Sequence, residues 1–118
     1  MRDRIVARIE ADGPLPFDEY MAMCLYDPED GFFSAGGVRP GVGGDFVTSP
    51  EVSPWFGRLV GRWAAGVGAG RTLVEIGAGS GALLEPLLED VGDQFASIHA
   101  IELSEAARAQ LSAAHPDL

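Results

Sequence analysis

The sequence predicts an α/β fold: the opening half of a doubly wound parallel sheet, entered through a helical N-terminal segment. Three observations carry this reading. "RTLVEIG" (71–77) is an apolar, β-branched run of strand length. Gly77, Gly79 and Gly81 then fall at every second position and lead into "GALLEPLLEDV", where Leu83, Leu84, Leu87, Leu88 and Val91 share a helical face. "SIHAIEL" (97–103) is a second buried-strand run, and Ser104 caps a further helix, "EAARAQLSAAH", that ends at His115-Pro116. Strand, helix, strand, helix in this order pairs the strands in parallel through a right-handed crossover. Two segments follow: 1–70, helical with a glycine-rich loop, and 71–118, the first half of a Rossmann-like binding domain.

Ahead of the first strand, Ile5, Val6 and Ile9 make a short helical stripe closed by Gly13-Pro14. Phe17, Tyr20, Met21, Cys24 and Leu25 make a wider one, stopped by Asp27-Pro28 because the residue before proline avoids the helical region. Cys24 reads as a core position. Phe32-Phe33 suggests a short extended piece. "SAGGVRPGVGGD" (34–45) holds five glycines and reads as a mobile loop, either a linker or a ligand loop. Ser49-Pro50-Glu51 and Ser53-Pro54 each fit a helix start. The helix that follows carries Trp55, Phe56, Leu59, Val60, Trp63 and Val67 as a broad stripe expected to pack on something large, with the tryptophans in a core. Pro86 falls inside the expected helix "GALLEPLLEDV" and should bend it.

With 118 residues the chain holds at most one domain with a modest core. Its 18 acidic and 8 basic residues give a net charge of −10, which repels nucleic acid and anionic membrane surfaces. A cationic partner, such as a basic side chain or a sulfonium, fits that charge; so does solubility alone. One cysteine excludes an intrachain disulfide and a cysteine-based zinc site, and no metal is expected. No run approaches the ~20 apolar residues of a membrane span. The first residues resemble neither a signal nor a transit peptide, so the default expectation is a cytoplasmic protein.

The glycine turn is the candidate site. Glycine allows positive φ and a close approach of backbone to ligand, and the helix beyond it should offer free N–H groups. Ser80 could add a hydroxyl. Glu102 ends the second strand 21 residues after Gly81, where a carboxylate can accept from both hydroxyls of a ribose. "GAGSGA" (77–82) also satisfies the dinucleotide pattern, so an NAD-dependent oxidoreductase is a live alternative. An ordinary glycine-rich strand-turn-helix is another. Glu75, two residues before Gly77, argues against NAD. An acid there resembles the first motif of class I S-adenosylmethionine methyltransferases, where it lies near the cationic methionine end.

"GPLPFDEYMAMCLYDPEDGFF", "GGDFVTSPEVSPWFGRLVGRW" and "LVEIGAGSGALLEPLL" resemble, in that order, the MidA-like methyltransferases, the bacterial and mitochondrial relatives of a complex I assembly factor. The resemblance runs from about Gly13 to Ser104. It implies a Rossmann-like class I methyltransferase fold, with Glu75, Gly77, Ala78, Gly79, Ser80, Gly81, Glu102 and Leu103 holding S-adenosylmethionine. It also implies that Asp45, Phe46, Thr48, Pro50 and Glu51 line the same cleft. The substrate it implies is a protein, with arginine as the candidate acceptor and a respiratory-complex subunit as the candidate partner. No catalytic base is assigned. Glu51 is one candidate for holding a guanidinium, and a helix cap is the simpler role for it. His99 and His115 read as structural or exposed. The chain stops where a third parallel strand is expected. It is therefore expected to be a fragment, truncated after the second strand, inactive alone and with an exposed apolar sheet edge. A non-catalytic binding subunit on this fold is the third reading.

Overall fold

The computed structural model describes residues 1–34, 44–116 and 118, so most of the glycine-rich loop lies outside the described residues. The chain divides into two compact units, Met1–Val38 and Arg39–Leu118.

In the first unit, α1 (Arg2–Asp12) ends at Gly13, whose φ of 90° suits glycine, and α2 (Phe17–Tyr26) ends before Asp27-Pro28. Neither helix has a fully buried residue, and Phe17, Tyr20 and Met21 are exposed. Cys24 is half-buried rather than core. The organising group is Asp27, itself buried. Its Oδ1 accepts from the N–H groups of Glu29 (3.0 Å) and Asp30 (3.1 Å), and Arg4 on α1 reaches it at 2.6–2.7 Å. Burial alone would raise this carboxyl's pKa. The two N–H groups and the Arg4 guanidinium outweigh burial and hold it below the usual carboxylate range. Phe32-Phe33 is a turn, not an extended piece. The N–H groups of Phe32 and Phe33 donate to the carbonyls of Cys24 (2.9 Å) and Leu25 (2.8 Å) at the end of α2, so the chain folds back on that helix.

The second unit opens with two helix starts in succession. α3 (Ser49–Val52) is capped by Thr48, and α4 (Pro54–Gly68) by Ser53, so both proline signals are real and the first cap lies one residue earlier than expected. β1 (Thr72–Ile76) and β2 (Ser97–Ile101) pair in parallel with Thr72 opposite Ser97 and Ile76 opposite Ile101. Their Thr72 and Ser97 hydroxyls also bond each other at 2.8 Å. α5 (Leu84–Val91) joins them through a short 3₁₀ turn, Gly92–Gln94, and α6 (Glu105–Ala114) follows β2. Ala65, Leu87 and Val91 form the core, with Leu73 and Phe95 against it. Leu84 is fully buried, a contribution of about 1.5–3 kcal/mol for a side chain of this type.

α4 docks on α5, so it belongs with the strands and not with the N-terminal segment to which the sequence assigned it. It docks by its small residues. Gly57, Gly61 and Ala65 recur every fourth position and are buried. A Cβ on Gly57 would lie 2.5 Å from both the Leu83 carbonyl and Pro86 Cγ, so only glycine permits this helix spacing. Arg62 clasps Asp90 across the contact with two bonds, 2.6 and 2.9 Å. The apolar stripe expected in a core faces outward instead: Trp55, Leu59, Trp63 and Val67 are 60%, 63%, 70% and 66% exposed. One face of the sheet is likewise bare, with Val74, Ile76 and Ile101 exposed.

Pro86 does not interrupt α5, which runs unbroken from Leu84 to Val91. The helix starts at Leu84, three residues later than the apolar pattern suggested, and Pro86 therefore lies in its first turn, where the backbone N–H is dispensable. Among the described residues no helix is long and apolar enough to cross a membrane.

Candidate functional site

The site lies at the C-terminal end of the two strands, where open parallel sheets take their ligands. β1 ends at Ile76. The N–H groups of Gly77 (2.7 Å) and Ala78 (3.3 Å) both donate to the Ile101 carbonyl at the end of β2, which pins the turn to the neighbouring strand. Gly77, Gly79 and Gly81 all adopt positive φ, at 77°, 54° and 84°. Around Gly77 a Cβ would meet nothing within 4 Å, so its backbone faces open space and its conformation alone requires glycine. At Gly81 a Cβ would also meet Leu111 of α6 at 2.9 Å. The third glycine thus serves turn conformation and packing together.

Glu102 completes the turn. Its Oε2 accepts the Gly79 N–H at 2.8 Å and its Oε1 the Ser104 N–H at 2.7 Å. Each carboxylate oxygen has two lone pairs, so one acceptor position per oxygen remains for a ligand's hydroxyl. The acid and the glycine turn, 23 residues apart in sequence, are one structure. The expected array of free helix N–H groups is only partly present. Gly79 donates to Glu102 and Gly81 to the Ala78 carbonyl, while the N–H groups of Ser80, Ala82 and Leu83 make no backbone bond among the described residues.

Glu75 stands on β1 opposite Ala100. Its Oε2 is buried and has no hydrogen-bond partner among the described residues. Burial pushes its pKa above the usual carboxylate range. A buried, unpartnered acceptor is costly, by about 1–3 kcal/mol, and a cation or donor brought to it would recover that cost.

The remaining candidates are placed less directly. Ala78 is buried in the turn, Ser80 is exposed on it, and Leu103 is exposed just beyond Glu102. Phe46 stands in an isolated β-bridge next to Asp45, ahead of α3. Glu51 is occupied: its Oε2 accepts from the Thr48 N–H at 2.7 Å and the Thr48 hydroxyl at 3.0 Å, with Pro50 in the same turn. The cap reading of Glu51 is the one this geometry gives. A residue that sequence reasoning missed is Arg108, whose Nη1 donates to the carbonyls of Glu102 (2.9 Å) and Leu103 (2.6 Å). Among the described residues, no three His, Cys, Asp or Glu side chains gather as metal ligands.

No protein-family model matches the chain. Among known proteins it is similar to the mitochondrial protein arginine methyltransferase NDUFAF7. The Danio rerio protein is 37% identical over 113 residues, covering 85% of this chain and 26% of that protein. The Bos taurus protein is 36% identical over 119 residues (89% and 26%), and the Drosophila melanogaster homologue 38% over 108 residues (83% and 24%). The chain belongs to the MidA-like methyltransferase family. It spans about a quarter of the length of these relatives. A crystal structure from Burkholderia thailandensis, of a candidate methyltransferase bound to S-adenosyl-homocysteine, matches this MidA-like chain with a TM-score of 0.76 and 33% identity, over 97% of this chain and 33% of that one. The fold is therefore the opening part of the Rossmann-like methyltransferase architecture. One expectation is corrected: the relatives are named as mitochondrial, against the cytoplasmic location read from the sequence. That reading rested on the lack of a leader in the first residues, and the residue at which a sequence begins sets no compartment.

Proposed function

We propose that this chain supplies the nucleoside-binding half of an S-adenosylmethionine-dependent protein methyltransferase, with arginine as the acceptor. The observation that carries the proposal is the bridge from Glu102 to the Gly79 N–H at the mouth of the glycine turn. It joins a bidentate acceptor for ribose hydroxyls to a backbone stripped of side chains. Glu75 favours S-adenosylmethionine over a dinucleotide, because its buried, orphaned oxygen suits a cationic ligand end and not a pyrophosphate. The residues fit the cofactor on these grounds. A relative described as binding S-adenosyl-homocysteine and others described as arginine methyltransferases support the same reading.

When bound, S-adenosylmethionine supplies a methyl carbon made electrophilic by its sulfonium. The residues described here bind and orient. Glu102 holds the ribose, the glycine turn gives it room, and Glu75 balances positive charge. Such a transfer depends on position and alignment more than on strong acid-base chemistry. A cavity beside Glu102, about 90 Å³ and shared with Ala100, Arg108, Leu111 and Ser112, is far below the ~300–1,000 Å³ of a typical cofactor pocket. The described residues thus form part of a cleft, and the acceptor, a respiratory-complex subunit on this reading, would meet the complete protein.

Calorimetric titration with S-adenosyl-homocysteine and, in parallel, NAD⁺ tests this. Binding of the former, weakened by Glu102→Ala and by Glu75→Gln, is expected. Burial raises the Glu75 pKa, and a cationic ligand end favours its ionised form. Affinity should rise with pH through that titration, and the slope should vanish in Glu75→Gln. Preference for NAD⁺ would sink the methyltransferase reading.

A further inference from the structure

Arg108 sits one turn into α6, where its own N–H donates to the Ser104 carbonyl at 3.0 Å. Its side chain turns back. The single nitrogen Nη1 donates to the carbonyls of Glu102, at 2.9 Å, and Leu103, at 2.6 Å. These two carbonyls lie just past the end of β2 at Ile101, where the sheet's ladder no longer takes them up. The same two-residue link carries the Glu102 carboxylate, held at its other side by Ser104 N–H and Gly79 N–H. Three of these bonds close a ring, from α6 through Arg108 to the backbone of residues 102–103, and from there through the Glu102 side chain to the Ser104 N–H and back to α6; the fourth ties the same carboxylate to the Gly79 N–H of the glycine turn. Bonds from a charged donor are the strong ones in such a ring.

We infer that Arg108 is a positioning residue: it fixes the backbone that aims the Glu102 carboxylate, and so sets the selectivity of the site for ribose over 2′-deoxyribose. The inference rests on the reading of Glu102 as the ribose acceptor. The role assigned to Arg108 is exerted through the backbone of residues 102–103. Without its two bonds, the 102–103 carbonyls turn to water, the link gains freedom, and the carboxylate spends less time over Gly79. Because both bonds leave one nitrogen, a lysine ammonium, with three donors, can replace them. A methionine keeps the stem and removes the donors. Arg108 is exposed, so neither change threatens the fold.

Amide hydrogen exchange and nucleoside titration on the 118-residue chain test this. In Arg108→Met the Gly79 and Ser104 amides should exchange about fivefold to tenfold faster, with the Val74 amide in β1 unchanged, and Arg108→Lys should restore most of the protection. In the titration, the preference for adenosine over 2′-deoxyadenosine should fall about fivefold in Arg108→Met and return in Arg108→Lys, with 2′-deoxyadenosine, which keeps one of the two hydroxyls, weakened less than adenosine. Unchanged Gly79 exchange in Arg108→Met overturns the clamp. Equal weakening of both nucleosides overturns the selectivity role and leaves a structural one. A wild-type chain that binds both nucleosides equally, or neither, overturns the ribose role of Glu102 and the selectivity with it, and the exchange data then decide the clamp by themselves.

Discussion

Gly77 and Gly81 offer a paired test of the turn. Each has positive φ, 77° and 84°, so alanine at either incurs the left-handed penalty of about 1–2 kcal/mol. Each also gains about 0.4–1 kcal/mol from a less free unfolded chain. The net cost from backbone alone is about 1 kcal/mol in both. The surroundings differ. The new methyl at Gly77 meets nothing within 4 Å, whereas at Gly81 it meets Leu111 Cδ2 at 2.9 Å. Leu111 is buried, so its methyl has little room to withdraw, and the overpacking adds a cost at the lower end of about 1–3 kcal/mol. Gly81→Ala should thus cost about 2 kcal/mol and Gly77→Ala about 1 kcal/mol, a gap of about 4–8 °C in midpoint for a domain of this size. Thermal melts followed by circular dichroism measure both. The ligand side should rank them oppositely. The proposed nucleoside occupies the open space at Gly77, so Gly77→Ala should weaken S-adenosyl-homocysteine binding by more than its stability cost accounts for. Equal midpoints, or a costlier Gly77→Ala, would falsify the argument that packing against Leu111 separates the two glycines.

The α4–α5 contact makes a sharper stability prediction. Gly57→Ala puts a methyl 2.5 Å from a backbone carbonyl that cannot swing away, and should cost about 3 kcal/mol, the upper end for overpacking, while Gly66→Ala, whose methyl meets nothing within 4 Å, should raise stability by up to about 1 kcal/mol; denaturant melts of the two variants should move in opposite directions. Asp27 gives a pH prediction for the first unit. Its folded pKa is depressed, so its contribution is complete above the ordinary carboxylate range and is lost as pH falls through the folded value. Protection of the Glu29 and Asp30 amides should therefore fall in acid, and in Asp27→Asn it should be weaker at neutral pH and nearly independent of pH.

The strands, the glycine turn and Glu102 were legible because each is a local pattern with a mechanism: β-branched runs, residues that tolerate positive φ, an acid at a strand end. α4 was misread for a physical reason. Periodicity finds the apolar stripe, but close helix approach is set by residues with little or no side chain, and Gly57, Gly61 and Ala65 leave no hydrophobic signal. Phe32-Phe33 looked extended because aromatic residues favour strands, yet the open carbonyls at the end of α2 captured its N–H groups. Arg108 carried no signal at all. An arginine in the first turn of an exposed helix reads as solvated charge, and only the fold shows carbonyls within its reach. Glu75 lay between these cases: its place before the turn was visible, and its unpartnered oxygen was not.

Pro86 has a consequence beyond its own helix. The Glu85 N–H already donates to the Gly81 carbonyl at 2.8 Å, so a helical turn reaches back to residue 81, and a residue with an N–H at position 86 would add a second such bond, to the Ala82 carbonyl. Proline forbids that bond. The junction between α5 and the left-handed glycines therefore rests on one helical bond where two could form.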